Sequence, residues 1–167
     1  MNLLAIDPGY DRCGVAVFDI AGKNPALLYS TCVTTNKKDL QEKRLANIFV
    51  EVEMIVEKWN IKTIALETLF FSVNKTTALK VAEARGVILL LAGKHRLDVV
   101  ELSPQEVKLS VTGVGNASKA QVAKMIHLIF KELSAKKLDD ELDAIAVGLG
   151  AASKMKFNAK IPLRSSK

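Results

Sequence analysis

The stretch NLLAIDPGYDRCGVAVFDIAGKNPALLYSTCVTT, residues 2–35, decides the fold. Its first six residues, NLLAID, are apolar up to an acid, and Pro8-Gly9 follows as a strong turn signal, because proline presets φ and glycine accepts positive φ. CGVAVFDI and PALLYSTCVTT then have the β-branched and aromatic content of strands, with the turn-forming AGKN between them. Three consecutive strands with short connections predict an antiparallel meander. Beyond it the pattern changes. Residues 39–59 place Leu40, Leu45, Ile48, Phe49, Val52, Ile55, Val56 and Trp59 at helical spacing, and IKTIALE at 61–67 has the form of a buried strand. A helix over 75–92, a strand at 97–102, and a short helix opened by Ser103-Pro104 follow. Ser118 with Gln121 forms a capping box for the next helix, and a last helix begins near Asp139 or Asp140. The fold class is therefore α/β: a five-stranded mixed sheet, three antiparallel strands then parallel ones, flanked by helices.

Composition narrows the function classes. A chain of 167 residues with 49% apolar and 25% charged residues suits one globular domain. No uncharged stretch approaches the roughly eighteen residues of a membrane span, so no membrane partner is expected. The N-terminus has an acid at position 7 and no basic region ahead of a long apolar one, which predicts a cytoplasmic protein rather than a secreted one. Cys13 and Cys32 have neither a disulfide framework nor a zinc spacing around them. The net charge is +6, but five of those charges lie in residues 154–167, which hold no acid. Residues 1–153 are thus expected to form the domain and 154–167 a flexible basic tail. A nucleic-acid partner has to be argued from local lysine clusters, not from the total.

Four carboxylates stand where folding alone gives no reason for an acid. Asp7 and Glu67 each end an apolar strand, at the carboxyl edge where open α/β sheets place ligands. Asp140 and Asp143, three residues apart at a helix start, share one face near the positive end of the helix. Each acid alone has a bland explanation as a turn, strand-end or first-turn residue. Together they would repel unless a cation neutralised them. Oxygen-only ligands favour Mg²⁺, with Mn²⁺ as an alternative, and several carboxylates can hold two such ions roughly 3.5 to 4 Å apart. Two ions could activate water and stabilise the departing oxygen in phosphoryl chemistry, with no protein nucleophile. His95 and His127 lie outside these acidic motifs.

The motifs IDPG (6–9), LETLFF (66–71), NKTTALKVAEARGV (74–87), VKLSVTGVGNASKAQV (107–122) and DELDAIAVG (140–148) closely resemble those of the RuvC Holliday-junction resolvases, of the ribonuclease H-like superfamily. The resemblance spans about residues 2–153. It implies that Asp7, Glu67, Asp140 and Asp143 are the metal-binding catalytic acids, with two Mg²⁺ per site. It implies further that Phe70 enters the junction centre among the bases, and that Lys108 and Lys119 lie near the scissile phosphate. Phe70 and Phe71 follow a strand-end acid, which suits a loop where aromatics can stack on bases. Lys119 beside the Ser118 cap suits phosphate at a helix N-terminus. Lys75 and Lys80 are the further cations expected to contact DNA. The implied reaction is symmetric hydrolysis of phosphodiesters in a four-way junction, leaving 5′-phosphate and 3′-hydroxyl ends, together with the RuvA and RuvB branch-migration proteins.

Symmetric cutting needs two sites on a two-fold axis, which implies a homodimer. The helix over 75–92 offers the contact, since Ala82 and Gly86 allow close approach and Val87, Leu89, Leu90 and Leu91 exceed what one sheet face covers. Asp11, Cys13 and Ala16 depart from the family pattern. An RNA-trimming nuclease of the same superfamily would not need the LETLFF aromatic, and a non-catalytic junction-binding module would not need all four acids. An actin-like ATPase needs two such domains.

Overall fold

In the computed structural model the described residues are 1–68, 75–134 and 137–160, with backbone alone for 75–77, 159 and 160. The elements run β1 (Asn2–Asp7), β2 (Arg12–Asp19), β3 (Ala26–Thr34), α1 (Gln41–Lys58), β4 (Ile61–Glu67), α2 (Lys75–Lys94), β5 (Asp98–Leu102), α3 (Pro104–Thr112), α4 (Lys119–Ile129) and α5 (Asp139–Lys160). The sheet order is β3-β2-β1-β4-β5. The meander β1-β2-β3 is antiparallel, whereas β4 and β5 join β1 in parallel. This is the mixed sheet expected from the sequence.

Strand side chains alternate between the two faces, and here they feed two separate cores. Leu3, Ala5, Ala16, Phe18 and Ala65 face α5, α3 and α4. Leu4, Ile6, Val15, Val17, Ile64 and Leu66 face α1 and α2. The α1 contribution, Ile48, Val52, Ile55 and Val56, follows the predicted helical spacing.

The two faces are covered differently. Helix α5 carries Ala144, Ala146, Gly148, Gly150, Ala151 and Ala152, small residues that let its backbone lie close to the sheet. A Cβ on Gly148 would stand 2.2 Å from the Phe18 ring, and one on Gly14 of β2 would stand 1.8 Å from the Asp140 carbonyl oxygen. From Gly14 to Phe18 the strand advances about 13 Å; from Asp140 to Gly148 the helix advances about 12 Å. The near-equality means that α5 lies along β2, with its first turn over the Gly14 end.

Local signals hold at the helix ends. Ser103 and Ser118 each complete a capping box, with Glu106 and Gln121 respectively. Gly113 ends α3 with φ +77°, the left-handed conformation glycine adopts without strain.

Two expectations change. The boundary at residue 153 falls inside α5, which continues to Lys160. Lys154 Nζ donates to the Glu101 carbonyl at 2.9 Å and to Glu106 at 3.0 Å, and Lys156 Nζ donates to the Gly22 and Lys23 carbonyls at 2.9 and 2.6 Å. The acid-free run reads as a tail because the acceptors of Lys154 and Lys156 lie far away in sequence. On α2, Leu91 is fully buried, together with Ala84 and Ile88, rather than belonging to an uncovered surplus. Leu79 and Leu90 are each 66% exposed, and Gly86 has open space beyond it.

Candidate active site

Strand parity accounts for the first two acids. Asp7 has the parity of Leu3 and Ala5, and Glu67 has that of Ala65, so both carboxylates belong to the α5 face. The parallel pairing of Ile6 with Leu66 makes Asp7 and Glu67 neighbours where the strands end. Asp7 is also paired with Gly14, the residue on which the Asp140 main chain rests. The absent side chain at Gly14 thus lets the first turn of α5 come down beside Asp7. One turn along, Asp143 lies on the same face as Asp140.

The electrostatics follow from this convergence. Burial raises the Asp7 carboxyl to about 7, and the charges of Asp143, Glu67 and Asp140 add to the rise against the opposing pull of Lys119. Glu67 is raised by burial and then by Asp143, with Lys108 and Lys119 opposing. Lys119, the first residue of α4, reaches Asp143 Oδ2 with its Nζ at 2.8 Å, and this hydrogen bond is the main cause of its own raised pKa. The structure therefore brings together Asp7, Glu67, Asp140 and Asp143, with Lys108 and Lys119 beside them. Lys80 lies elsewhere, 4.9 Å from the Tyr10 ring centroid and next to the β1–β2 turn. Phe70 and Phe71, and the side chain of Lys75, lie outside the described residues.

One oxygen tests whether this set suits a cation. Asp140 Oδ2 is closed to solvent and accepts no hydrogen bond. Arg12 Nε is within ion-pair distance of it, at 2.9 Å, but the approach is not aligned as a hydrogen bond. A buried carboxylate oxygen without a donor, on one of three acids that act on the buried Asp7, suits a hard divalent ion. Arg12 is a residue that the sequence reading missed. Its signal is parity: two residues before Gly14 on β2, it faces the same side.

Away from these acids, Glu53, Glu57 and His95 have ligand atoms within 4.8 Å of one another. They lie at the other end of the sheet, where α1 leads into β4 and α2 leads out toward β5. Glu53 there already receives Lys94 at 2.9 Å, and His95 Nε2 is 2.7 Å from the same oxygen. Both cysteines are free. Burial pushes Cys13 up to about 12, which leaves an inert thiol.

The family profile described as "Crossover junction endodeoxyribonuclease RuvC" matches residues 3–151. The chain belongs to the RuvC family. A crossover junction endodeoxyribonuclease RuvC from Heliobacterium modesticaldum is 40% identical over 91% of this chain and 94% of its own, and one from Brachyspira hyodysenteriae is 37% identical over 92% and 95%. Among solved structures, Thermus thermophilus RuvC in complex with a Holliday junction substrate superposes with a TM-score of 0.87 at 28% identity, covering 98% of this chain and 99% of that one. The yeast mitochondrial resolvase Ydc2, at 15% identity and a TM-score of 0.64, covering 93% of this chain and 82% of its own, shares the fold. Membership of this nuclease family implies use of a divalent metal. No helix among the described residues is long and apolar enough to cross a membrane.

The raised acids give a pH prediction for the metal-free protein. A carboxyl near 7 when folded and 3.8 when unfolded binds its proton more tightly in the native state. Stability is fully present below about pH 4 as far as this group is concerned, and is lost as pH rises through 7. Chemical denaturation without metal should show a loss on the order of 3 kcal/mol between pH 5 and 8. Millimolar Mg²⁺ should restore much of it at pH 8, because a ligand that binds only the native state stabilises that state. A metal-free stability that rises over this interval would contradict an Asp7 carboxyl raised by burial and by its acidic neighbours.

Proposed function

We propose that this protein is a structure-selective endonuclease that resolves Holliday junctions by hydrolysing phosphodiesters at opposed positions, leaving 5′-phosphate and 3′-hydroxyl ends. The observation that carries the reading is the meeting of Glu67, Asp140 and Asp143 with the buried Asp7, together with an Asp140 oxygen that has no hydrogen-bond donor. In this reading these acids hold two Mg²⁺ ions, for which Mn²⁺ can substitute. When bound, the ions supply Lewis-acid activation of water and of the scissile phosphodiester.

The remaining roles belong to the chain's own residues. Asp7, at the β1 edge beside the first turn of α5, ionises more readily when cations balance its neighbours. Lys119, held at the α4 N-terminus by the Ser118 cap, keeps a positive charge within reach of Asp143 and of the substrate phosphate. Lys108 places a second charge near Glu67. Phe70 and Phe71 open the junction centre by stacking on bases, and Lys75 and Lys80 contact the DNA arms. Residues 1–153, extended by α5 to Lys160, act as one nuclease domain in the cytoplasm, with RuvA and RuvB as partners.

Two-fold cutting requires a homodimer, and α2 supports one. Leu79, Gly86 and Leu90, at intervals of seven and four, lie on one exposed stripe of the helix. Light scattering at micromolar concentration should give twice the chain mass; one chain mass would refute the dimer.

A Mg²⁺-dependent assay on a mobile four-way junction, with each strand mapped, tests the activity. Paired nicks at symmetric positions are expected, with little cutting of linear duplex or of an RNA hairpin. Equal cutting of linear duplex, or preference for the hairpin, would refute junction resolution. Net charge outside the basic C-terminal residues is close to zero, so binding depends on the clustered lysines. Junction affinity should fall about 10³-fold or more between 50 and 200 mM salt.

A further inference from the structure

Arg12 stands between the acids and a groove. Its Nε is 2.9 Å from Asp140 Oδ2, yet its side chain remains 52% exposed. It also lines a groove of about 550 Å³ with Gly9, Tyr10, Thr34, Lys37 and Val81, and Asp140 forms one wall of the same groove. The neighbouring cations are committed to a different acid: Arg44 and Lys37 both pair with Asp11. Asp11 in turn is held ionised well below the usual carboxylate range, chiefly by its hydrogen bond from Arg44. Among the described lining residues, Arg12 is therefore the cation whose counter-charge is one of the four acids.

We propose that Arg12 blocks Asp140 in the free protein and yields it to a divalent ion when a DNA phosphate in the groove takes up the guanidinium. The inference rests on the reading of the four acids as metal ligands. A guanidinium on a carboxylate oxygen weakens that oxygen as a ligand for a divalent ion, since the two cations repel and compete for its lone pairs. The present contact is a weak anchor: it is unaligned, and half of the side chain is in solvent. A phosphate offers the planar guanidinium a bidentate, charge-assisted partner, which is a better one. Metal loading and DNA binding then help each other by the same factor, as linkage requires. The physical consequence is a site that holds its metal poorly until substrate arrives.

Calorimetric titration of Ca²⁺ into the free protein, and into protein saturated with a four-way junction, tests this. Ca²⁺ should bind wild type about tenfold more tightly when the junction is present. Arg12→Gln should raise the affinity of the free protein for Ca²⁺ by about tenfold and leave only a small further gain from DNA. Arg12→Lys, which keeps the charge, should retain most of the gap. A purely structural role would lower the melting temperature of Arg12→Gln without tightening Ca²⁺ binding, and that result would overturn the proposal. An Asp140→Asn control separates the two readings. If it leaves Ca²⁺ affinity unchanged, Asp140 is not a ligand, and the four-acid reading fails at that residue together with the role of Arg12; if it weakens Ca²⁺ while Arg12→Gln does nothing, Asp140 stands as a ligand and the role of Arg12 falls.

Discussion

Asp7→Asn should reduce junction cleavage by about three orders of magnitude or more while making the metal-free protein more stable above pH 7. Both effects come from one carboxylate. Asp7 ends β1 at the point where Glu67, Asp140 and Asp143 meet, and its burial together with their charges raises it to about 7. Asparagine keeps the size and removes the charge. The neighbours then repel less, so stability rises, and the divalent ions lose a ligand central to the set, so chemistry stops. Function maintained against local stability is the usual trade-off at active sites. Junction binding should survive, because it depends on lysines that the substitution leaves in place. Glu67→Gln should behave alike, with a smaller gain in stability. Strand-mapped cleavage, a band shift in Ca²⁺, and denaturation at pH 8 without metal check the three parts. Cleavage within tenfold of wild type in both variants would remove these acids from the mechanism.

Gly14→Ala should cost about 3 kcal/mol or more, a drop in melting temperature of roughly 6 to 12 °C for a domain of this size. The added Cβ would stand 1.8 Å from the Asp140 carbonyl oxygen and 2.5 Å from its carbon. Main chain on both sides leaves no flexible side chain to move aside. Either α5 lifts from β2 or the strand bends, and either motion separates Asp140 and Asp143 from Asp7. Cleavage by the folded fraction should therefore fall as well, which distinguishes this variant from an ordinary core defect. Gly22→Ala, where the added Cβ meets only Asn24 at 3.6 Å, is the control and should change stability by less than about 0.5 kcal/mol. An unimpaired Gly14→Ala protein would show that the close approach of α5 is dispensable.

Most of the fold was legible because its signals are local. Pro8-Gly9 ends β1, the serines at 103 and 118 start two helices, and the spacing of Ile48, Val52, Ile55 and Val56 gives α1 its buried stripe. Asp7 and Glu67 stood out because each ends an apolar strand, and Asp140 and Asp143 because their spacing puts both on one face at a helix start. Other features depend on partners far apart in the chain. Lys156 extends α5 past the expected boundary by bonding Gly22 and Lys23, over 130 positions away. Leu91 and Leu90 are adjacent and equally apolar, yet one is fully buried and the other 66% exposed, because α1 and the sheet cover a single side of α2.

The sequence by itself determined the order and type of the elements and the chemical character of the edge, since turn residues, caps and alternation act within a few residues of where they stand. Only the tertiary structure decided that Arg12 faces Asp140, that Lys119 reaches Asp143, and that the missing side chain at Gly14 seats the first turn of α5 beside Asp7. The first and third depend on how closely α5 can lie on β2, and the second on how α4 sits beside α5. Those distances are set by the volumes of residues far apart in the chain, a sum over the fold that no local pattern contains.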